Sequence, residues 1–244
     1  MTSDLLPADI VGVSIYDEPT SEFRFVPGPI FANVVIADEV NRAPPRTQSA
    51  LLEAMNDSSV TVDGATRPLP KPFLVIATQN PTDHHGAYPL PESQLDRFLI
   101  RTSLGYLEPD AEIRVLLEDP ASQRLNDLEP VTPPEEILAL QNLTDSTELS
   151  RPLAEYIRQL AVATRSRAEL SAGVSTRGAL ALARMARASA RVRDRDFVTT
   201  DDITDHFVAV SAHRLIGAGS FSGLSMQDAE SIAREVLQQT KMPL

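Results

Sequence analysis

The sequence predicts an α/β portion followed by an all-helical portion, with the change near residue 110 dividing the chain into 1–110 and 111–244. Three observations carry this. Val34 to Ala37 and Phe73 to Thr78 are apolar runs with no polar face, the pattern of parallel strands covered on both sides. A helical pattern separates them, giving the order strand, helix, strand. After residue 130 strand signals nearly vanish and apolar residues recur at helical spacing.

Taken in order, Val11 to Tyr16 and Glu22 to Val26 flank Asp17-Glu18-Pro19-Thr20 and predict a hairpin. Pro44 and Pro45 suit a first helical turn, and Leu51, Leu52 and Met55 supply the apolar face of the helix that follows. Val60-Thr61-Val62 turning on Asp63-Gly64 predicts a second hairpin, because that pair accepts the positive φ angles of a tight turn. Phe98 to Leu104 reads as a third strand. Glu108 to Pro134 is a mixed join. Leu153, Ile157 and Leu160 mark one helix, and Leu180, Ala183 and Ala186 to Ala190 another. Ile203, Phe207 and Val210 mark a third, with Thr200 as its N-cap ahead of Asp201 and Asp202, and a last helix covers Met226 to Gln239.

Composition narrows the function classes. With 244 residues and 42% apolar content the chain can build a sizeable core. No apolar run approaches the roughly 18 residues of a membrane span, and Met1-Thr2-Ser3-Asp4 lacks the start of a signal peptide, so a cytoplasmic protein is expected. The absence of cysteine removes disulfides, thiolate metal sites and cysteine nucleophiles. A net charge of -12 repels phosphates and argues against general binding to nucleic acid or anionic membrane. Among the basic residues only Lys71 and Lys241 are lysine; the rest are arginine.

The stretch "VVIADEVNR" delivers Asp38 and Glu39 to the carboxyl end of the first strand. Ligands of open parallel sheets bind beyond those ends, so one carboxylate there can hold Mg²⁺ while the next orients or deprotonates water. The alternative is two solvated charges at a strand end. "ATQNP" brings the amide of Asn80 to a similar height, either to hold that water or to start a turn. "LPESQLDRFLI" puts Arg97 beside Asp96, as a local ion pair or as a cation aimed at a neighbouring subunit's nucleotide. "GVSTRGAL" offers Arg177 at a helix start, facing either phosphate or solvent.

These segments, in this order, resemble the MoxR family of AAA+ ATPases. "ADEVNRAPPRTQSALLEAM", "VTVDGATRPLP", "FLVIATQNP", "YPLPESQLDRF", "ATRSRAELSAGVSTRGAL" and "ARVRDRDFVTTDDI" all match its pattern, from about Leu5 to about His213. The resemblance implies an AAA+ P-loop-type parallel-sheet core followed by an all-helical lid. It implies Asp38 as the Walker B metal ligand, Glu39 as the water-activating base, Asn80 as sensor 1, Arg97 as the arginine finger and Arg177 as the sensor 2 arginine. The first hairpin then corresponds to this clade's insertion in helix 2. It further implies ATP and Mg²⁺ as cofactors, a homo-oligomeric ring, commonly a hexamer, and a von Willebrand factor A-type protein partner, in chaperone-like assembly or activation of other complexes.

The phosphate-binding loop that goes with such a site needs closely spaced glycines and a lysine beside Ser or Thr at a helix start. The sequence has no Gly-Lys pair; Lys71 sits between two prolines and Lys241 near the end of the chain. The family pattern places the loop upstream of a segment like "DLLPADI", so the core is expected to be incomplete and the sequence to read as a member that has lost its first part. Three expectations follow: a sheet interrupted between the strands at Phe73 and Phe98, poor folding of the polypeptide alone, and negligible ATP turnover. A non-catalytic subunit or truncated remnant, acting as an interaction protein in a ring with complete ATPases, is the alternative. His84-His85 are adjacent, so their side chains diverge and a loop is expected there rather than a metal pair. Arg184, Arg187, Arg191, Arg193 and Arg195 lack interleaved aromatics and read as a solvated helix face or a ring-interface surface rather than a nucleic-acid site.

Overall fold

The computed structural model describes residues 1–80, 88–118, 128–219 and 224–243. A short helix α1 (Pro7–Val11) leads into an antiparallel hairpin, β1 (Gly12–Asp17) and β2 (Glu22–Pro27). Val13 faces Val26 across the hairpin, and Tyr16 faces Phe23 with their rings edge to face at 5.3 Å. Two strands, β3 (Val34–Ala37) and β6 (Leu74–Ala77), pair in parallel from Val34 opposite Leu74 to Ala37 opposite Ala77. Between them lie α2 (Pro45–Asp57) and a second hairpin of β4 (Ser59–Val62) and β5 (Ala65–Pro68). Its turn residues Asp63 and Gly64 both have positive φ, which the two-residue hairpin turn requires and glycine adopts without strain.

One face of the parallel pair builds a core. Val35, Val75 and Ala77 pack with the fully buried Ile30, Val40, Leu51 and Leu52, so α2 presents its predicted apolar stripe to the sheet. The other face is uncovered, contrary to the expectation of burial on both sides: Val34 is 53%, Ile36 69%, Leu74 54% and Ile76 46% exposed. An all-apolar strand tolerates cover on two faces but does not by itself supply it.

The strand expected over Phe98 to Leu104 does not form. After α3 (Glu92–Leu95) the chain runs without regular structure to α4 (Pro109–Glu118). A strand needs a lateral partner, and here three backbone groups at the start of the segment bond to the helical part instead. Arg101 donates its amide to the Ala209 carbonyl at 3.0 Å, and Arg214 donates to the Phe98 and Leu99 carbonyls.

The helical part comprises α5 (Pro134–Asp145), α6 (Arg151–Arg165), α7 (Thr176–Val192), α8 (Thr200–Ser211) and α9 (Met226–Gln239), with a small antiparallel pair of β7 (Leu170–Ala172) and β8 (Ile216–Gly217). Its core joins Tyr156, Leu160, Leu182, Ala186, Ile203, Phe207 and Val236. The N-cap of α8 is Thr199, one residue before the position expected. Asp202 accepts from the Thr199 amide at 2.8 Å and from its hydroxyl at 3.0 Å, a capping box that a cap at Thr200 would forfeit because Ile203 would then stand third. In the arginine-rich stretch Arg184 and Arg193 are exposed, as expected of a solvated face, while Arg187, Arg191 and Arg195 are partly buried. Arg191 donates to Thr147 Oγ1 at 2.8 Å, and Arg193 and Arg195 both pair with the buried Asp202.

His84 and His85 lie outside the described residues. Among the described residues no helix is long and apolar enough to cross a membrane, and no cluster of three or more His, Asp or Glu forms a metal site.

Candidate functional site

The carboxyl ends of β3 and β6 define the first part of the site. The parallel ladder extends one step past both strands, with Thr78 N–H donating to the Ala37 carbonyl at 3.1 Å and Val40 N–H to the Thr78 carbonyl at 3.0 Å. This puts the Thr78 hydroxyl between the two acidic residues. It accepts from the Glu39 amide at 2.9 Å and donates to Asp38 Oδ1 at 2.5 Å. Thr78 therefore fixes one carboxylate oxygen of Asp38 and the backbone of Glu39 with a single group. Glu39 itself is left-handed, at φ 50 and ψ 54, and its carboxylate lies 3.4 Å from the Arg42 guanidinium. Asn80 follows two residues beyond Thr78, exposed at the same end of the sheet.

A hard-oxygen set of this kind fits Mg²⁺, which keeps several waters and is held by one or two carboxylates together with phosphate oxygens. Asp38 is exposed and has one oxygen uncommitted to Thr78, so the residues present suit the ion.

The two arginines meet elsewhere, on α2. Arg97 Nη1 donates to the Leu52 carbonyl at 2.9 Å, and Arg177 Nη2 donates to Asn56 Oδ1 at 2.8 Å, one turn further along the helix. Leu52, Asn56 and Arg97 line one open cleft of about 300 Å³ together with Ser49, Glu53, Asp57 and Gln94. Arg177 enters from the first turn of α7, where Ser175 caps the helix by accepting from the Gly178 amide. The sequence-predicted residues thus form two groups: Asp38 and Glu39 with Asn80 at the sheet end, and Arg97 with Arg177 on the outer face of α2. No described hydrogen bond or ion pair links Asp38 or Glu39 with Arg97 or Arg177.

Three residues that sequence reasoning missed support these groups. Thr78 is one; its place in "ATQNP", in register with Asp38 once the strands are paired, was the available signal. Gln48 is another, 1% exposed, donating from Nε2 to the Ala43 carbonyl at 3.1 Å and the Tyr88 carbonyl at 3.0 Å. It holds the turn after Glu39 against the segment leading to Arg97, and its signal was a polar residue on the apolar stripe of α2. Arg214 is the third, pairing with Asp96 at 2.7 Å beside Arg97. Nothing in its sequence surroundings marks it.

A parallel pair with adjacent acidic residues at its carboxyl end, followed by a helical lid, is the architecture of an AAA+ ATPase. The family model described as "ATPase family associated with various cellular activities (AAA)" matches residues 1–100, and that of the AAA lid domain matches 162–236. The chain is 44% identical over 245 residues to the uncharacterized protein YeaC of Bacillus subtilis, spanning all of this chain and 76% of that protein. It is 37% identical over 260 residues to Chaperone MoxR1 of Mycobacterium tuberculosis, spanning 99% of this chain and 66% of that protein. A crystal structure of a protein from Cytophaga hutchinsonii superposes on the whole chain with a TM-score of 0.87 at 35% identity, covering 76% of that molecule. The chain belongs to the MoxR family of AAA+ ATPases.

Proposed function

We propose that this chain serves ATP hydrolysis coupled to chaperone-like assembly or activation of partner complexes. The observation that supports this best is the Thr78 hydroxyl, which orients Asp38 and Glu39 together at the carboxyl end of a parallel pair. In this reading Asp38 holds Mg²⁺, which when bound neutralises charge on the phosphate oxygens. Glu39 orients and deprotonates the attacking water, and Asn80 holds that water without competing for its proton. Arg97 reaches the nucleotide of a neighbouring subunit in a ring, as a hexamer would provide, and Arg177 reaches phosphate from the lid. A von Willebrand factor A-type protein is the proposed partner, and residues 1–110 and 111–244 are the proposed core and lid.

In a second reading the chain is a non-catalytic subunit that lends Arg97 to complete ATPases. Steady-state ATP turnover separates the two. Under the second reading the chain alone turns over ATP negligibly. Mixed with a complete relative whose own arginine finger is replaced, it is expected to restore turnover, with Arg97→Ala abolishing the gain. Turnover by the chain alone at a complete relative's rate would instead place the whole reaction in this polypeptide.

A further inference from the structure

Arg214 has no part in the reading above, yet few described side chains are so fully bonded. Its side chain is 3% exposed. Nε donates to Asp96 Oδ1 at 2.7 Å, and Nη2 donates to the carbonyls of Asp96 at 3.2 Å and Phe98 at 2.7 Å. Nη1 donates to the Leu99 carbonyl at 3.3 Å and to the Val210 carbonyl. The neighbouring His213 adds Nε2, 3.2 Å from the Phe98 carbonyl. A planar guanidinium bonded at every nitrogen cannot rotate without breaking several bonds, so it fixes the corner from Asp96 to Leu99 as a rigid unit.

The opposite side of the same side chain lies on α7. A Cβ added to Gly178 would come 2.9 Å from Arg214 Cδ, 3.2 Å from its Nε and 2.9 Å from Val174 Cγ1, so glycine leaves both side chains their place. Gly178 directly follows Arg177, and Asp96 directly precedes Arg97. Arg214 therefore stands between the residue next to one arginine and the residue next to the other.

The geometry points to Arg214 as a positioning residue that couples the start of α7 to the Arg97 corner, so that the seating of Arg177's helix sets the direction of Arg97. This rests on the reading of Arg97 and Arg177 as arginines that face phosphate. A lid that shifts its first turn on meeting nucleotide would then reorient the group offered to the next subunit, giving the ring a link between one site and its neighbour within a single chain.

Gly178→Ala tests the link from the far side: alanine is the better helix former, and of the two side chains it crowds, Val174 and Arg214, Arg214 is the one bonded to the Asp96 to Leu99 corner. Asp96→Asn weakens it from the near side, and both leave Arg214 in the chain. Arg214→Lys keeps the charge and loses the fork. Hydrogen exchange on the full chain is expected to speed up at least tenfold at the amides of Phe98 to Arg101 in Gly178→Ala and Asp96→Asn, with α6 and α9 unchanged. Arg214→Lys should fall between these and the unaltered protein. In the mixed ring with a finger-deficient relative, Gly178→Ala should lower kcat at least tenfold and leave KM unchanged. A folded Gly178→Ala with unaltered exchange at Phe98 to Arg101 would overturn the coupling. Altered exchange combined with an Arg97→Ala variant that still restores turnover would leave the coupling in place and overturn the role of Arg97 on which its function depends.

Discussion

At the scale of single residues, Glu39 is held in a backbone conformation, and His213 below pH 6.5 in a protonation state, that a free chain would avoid. Glu39 occupies the left-handed region, at about 1 to 2 kcal/mol for a residue with a Cβ, and does so where the chain turns sharply out of β3. Glu39→Asn, a residue that accepts this backbone more readily, is expected to leave stability unchanged or raise it by up to about 1 kcal/mol in urea titration. A loss greater than that would mean the partly exposed pair with Arg42 contributes more than such pairs usually do. His213 is held neutral: burial, then the adjacent Arg214 charge, push its pKa down to about 4, Arg101 acts in the same direction, and the Phe98 carbonyl and Asp96 oppose them. Its folded pKa thus lies below the unfolded value of 6.5, so unfolding takes up a proton in between. The contribution is complete above pH 6.5 and is lost as pH falls toward 4, by roughly 3 kcal/mol in all. Denaturant unfolding across that window should show a shallower pH slope in His213→Gln than in the unaltered protein; equal slopes would refute the assignment.

At the scale of elements, the α7–α8 junction shows how a local signal can be right in kind and still incomplete. The run of Thr and Asp before Ile203 announced a capped helix, and one forms. What the run did not announce is that Asp202 is fully buried, accepting also from Ser189 at 2.9 Å and from Arg193 and Arg195. Burial opposes its ionisation, but Arg195, the Thr199 amide and Ser189 hold the carboxylate well below its usual range. Asp202→Asn leaves two guanidinium groups without their shared anion and should cost about 3 kcal/mol, read from urea unfolding followed by helical circular dichroism. A cost below about 1 kcal/mol would show that water replaces the carboxylate at both arginines. The two hairpins were legible because their turns are decided within four residues. The strand expected at Phe98 to Leu104 was not, because pairing is decided by what lies beside it, and there the lid's Arg214 and Ala209 took the backbone groups.

At the scale of the whole molecule, two cores meet through the Asp96 to Arg101 segment, and one face of the β3–β6 pair stays open to solvent. Val34, Ile36, Leu74 and Ile76 form an exposed apolar surface on a two-stranded sheet, a combination that favours self-association. Sedimentation velocity is expected to show concentration-dependent association, reduced by Ile36→Lys with Ile76→Lys and without loss of helical signal. A monomer at all concentrations would show that this face is tolerated as it stands. The sequence by itself determined the strand, helix, strand order of the first part, the hairpin turns, the apolar stripes of α2, α6, α7 and α8, and the placing of Asp38 and Glu39 at the end of β3, because each is written in spacing along one segment. Only the tertiary structure decided that Thr78 binds Asp38 to Glu39, that Arg97 and Arg177 share the face of α2, and that Arg214 joins their neighbours. Those contacts link residues tens of positions apart, and no local pattern encodes a partner that arrives only when the chain has folded.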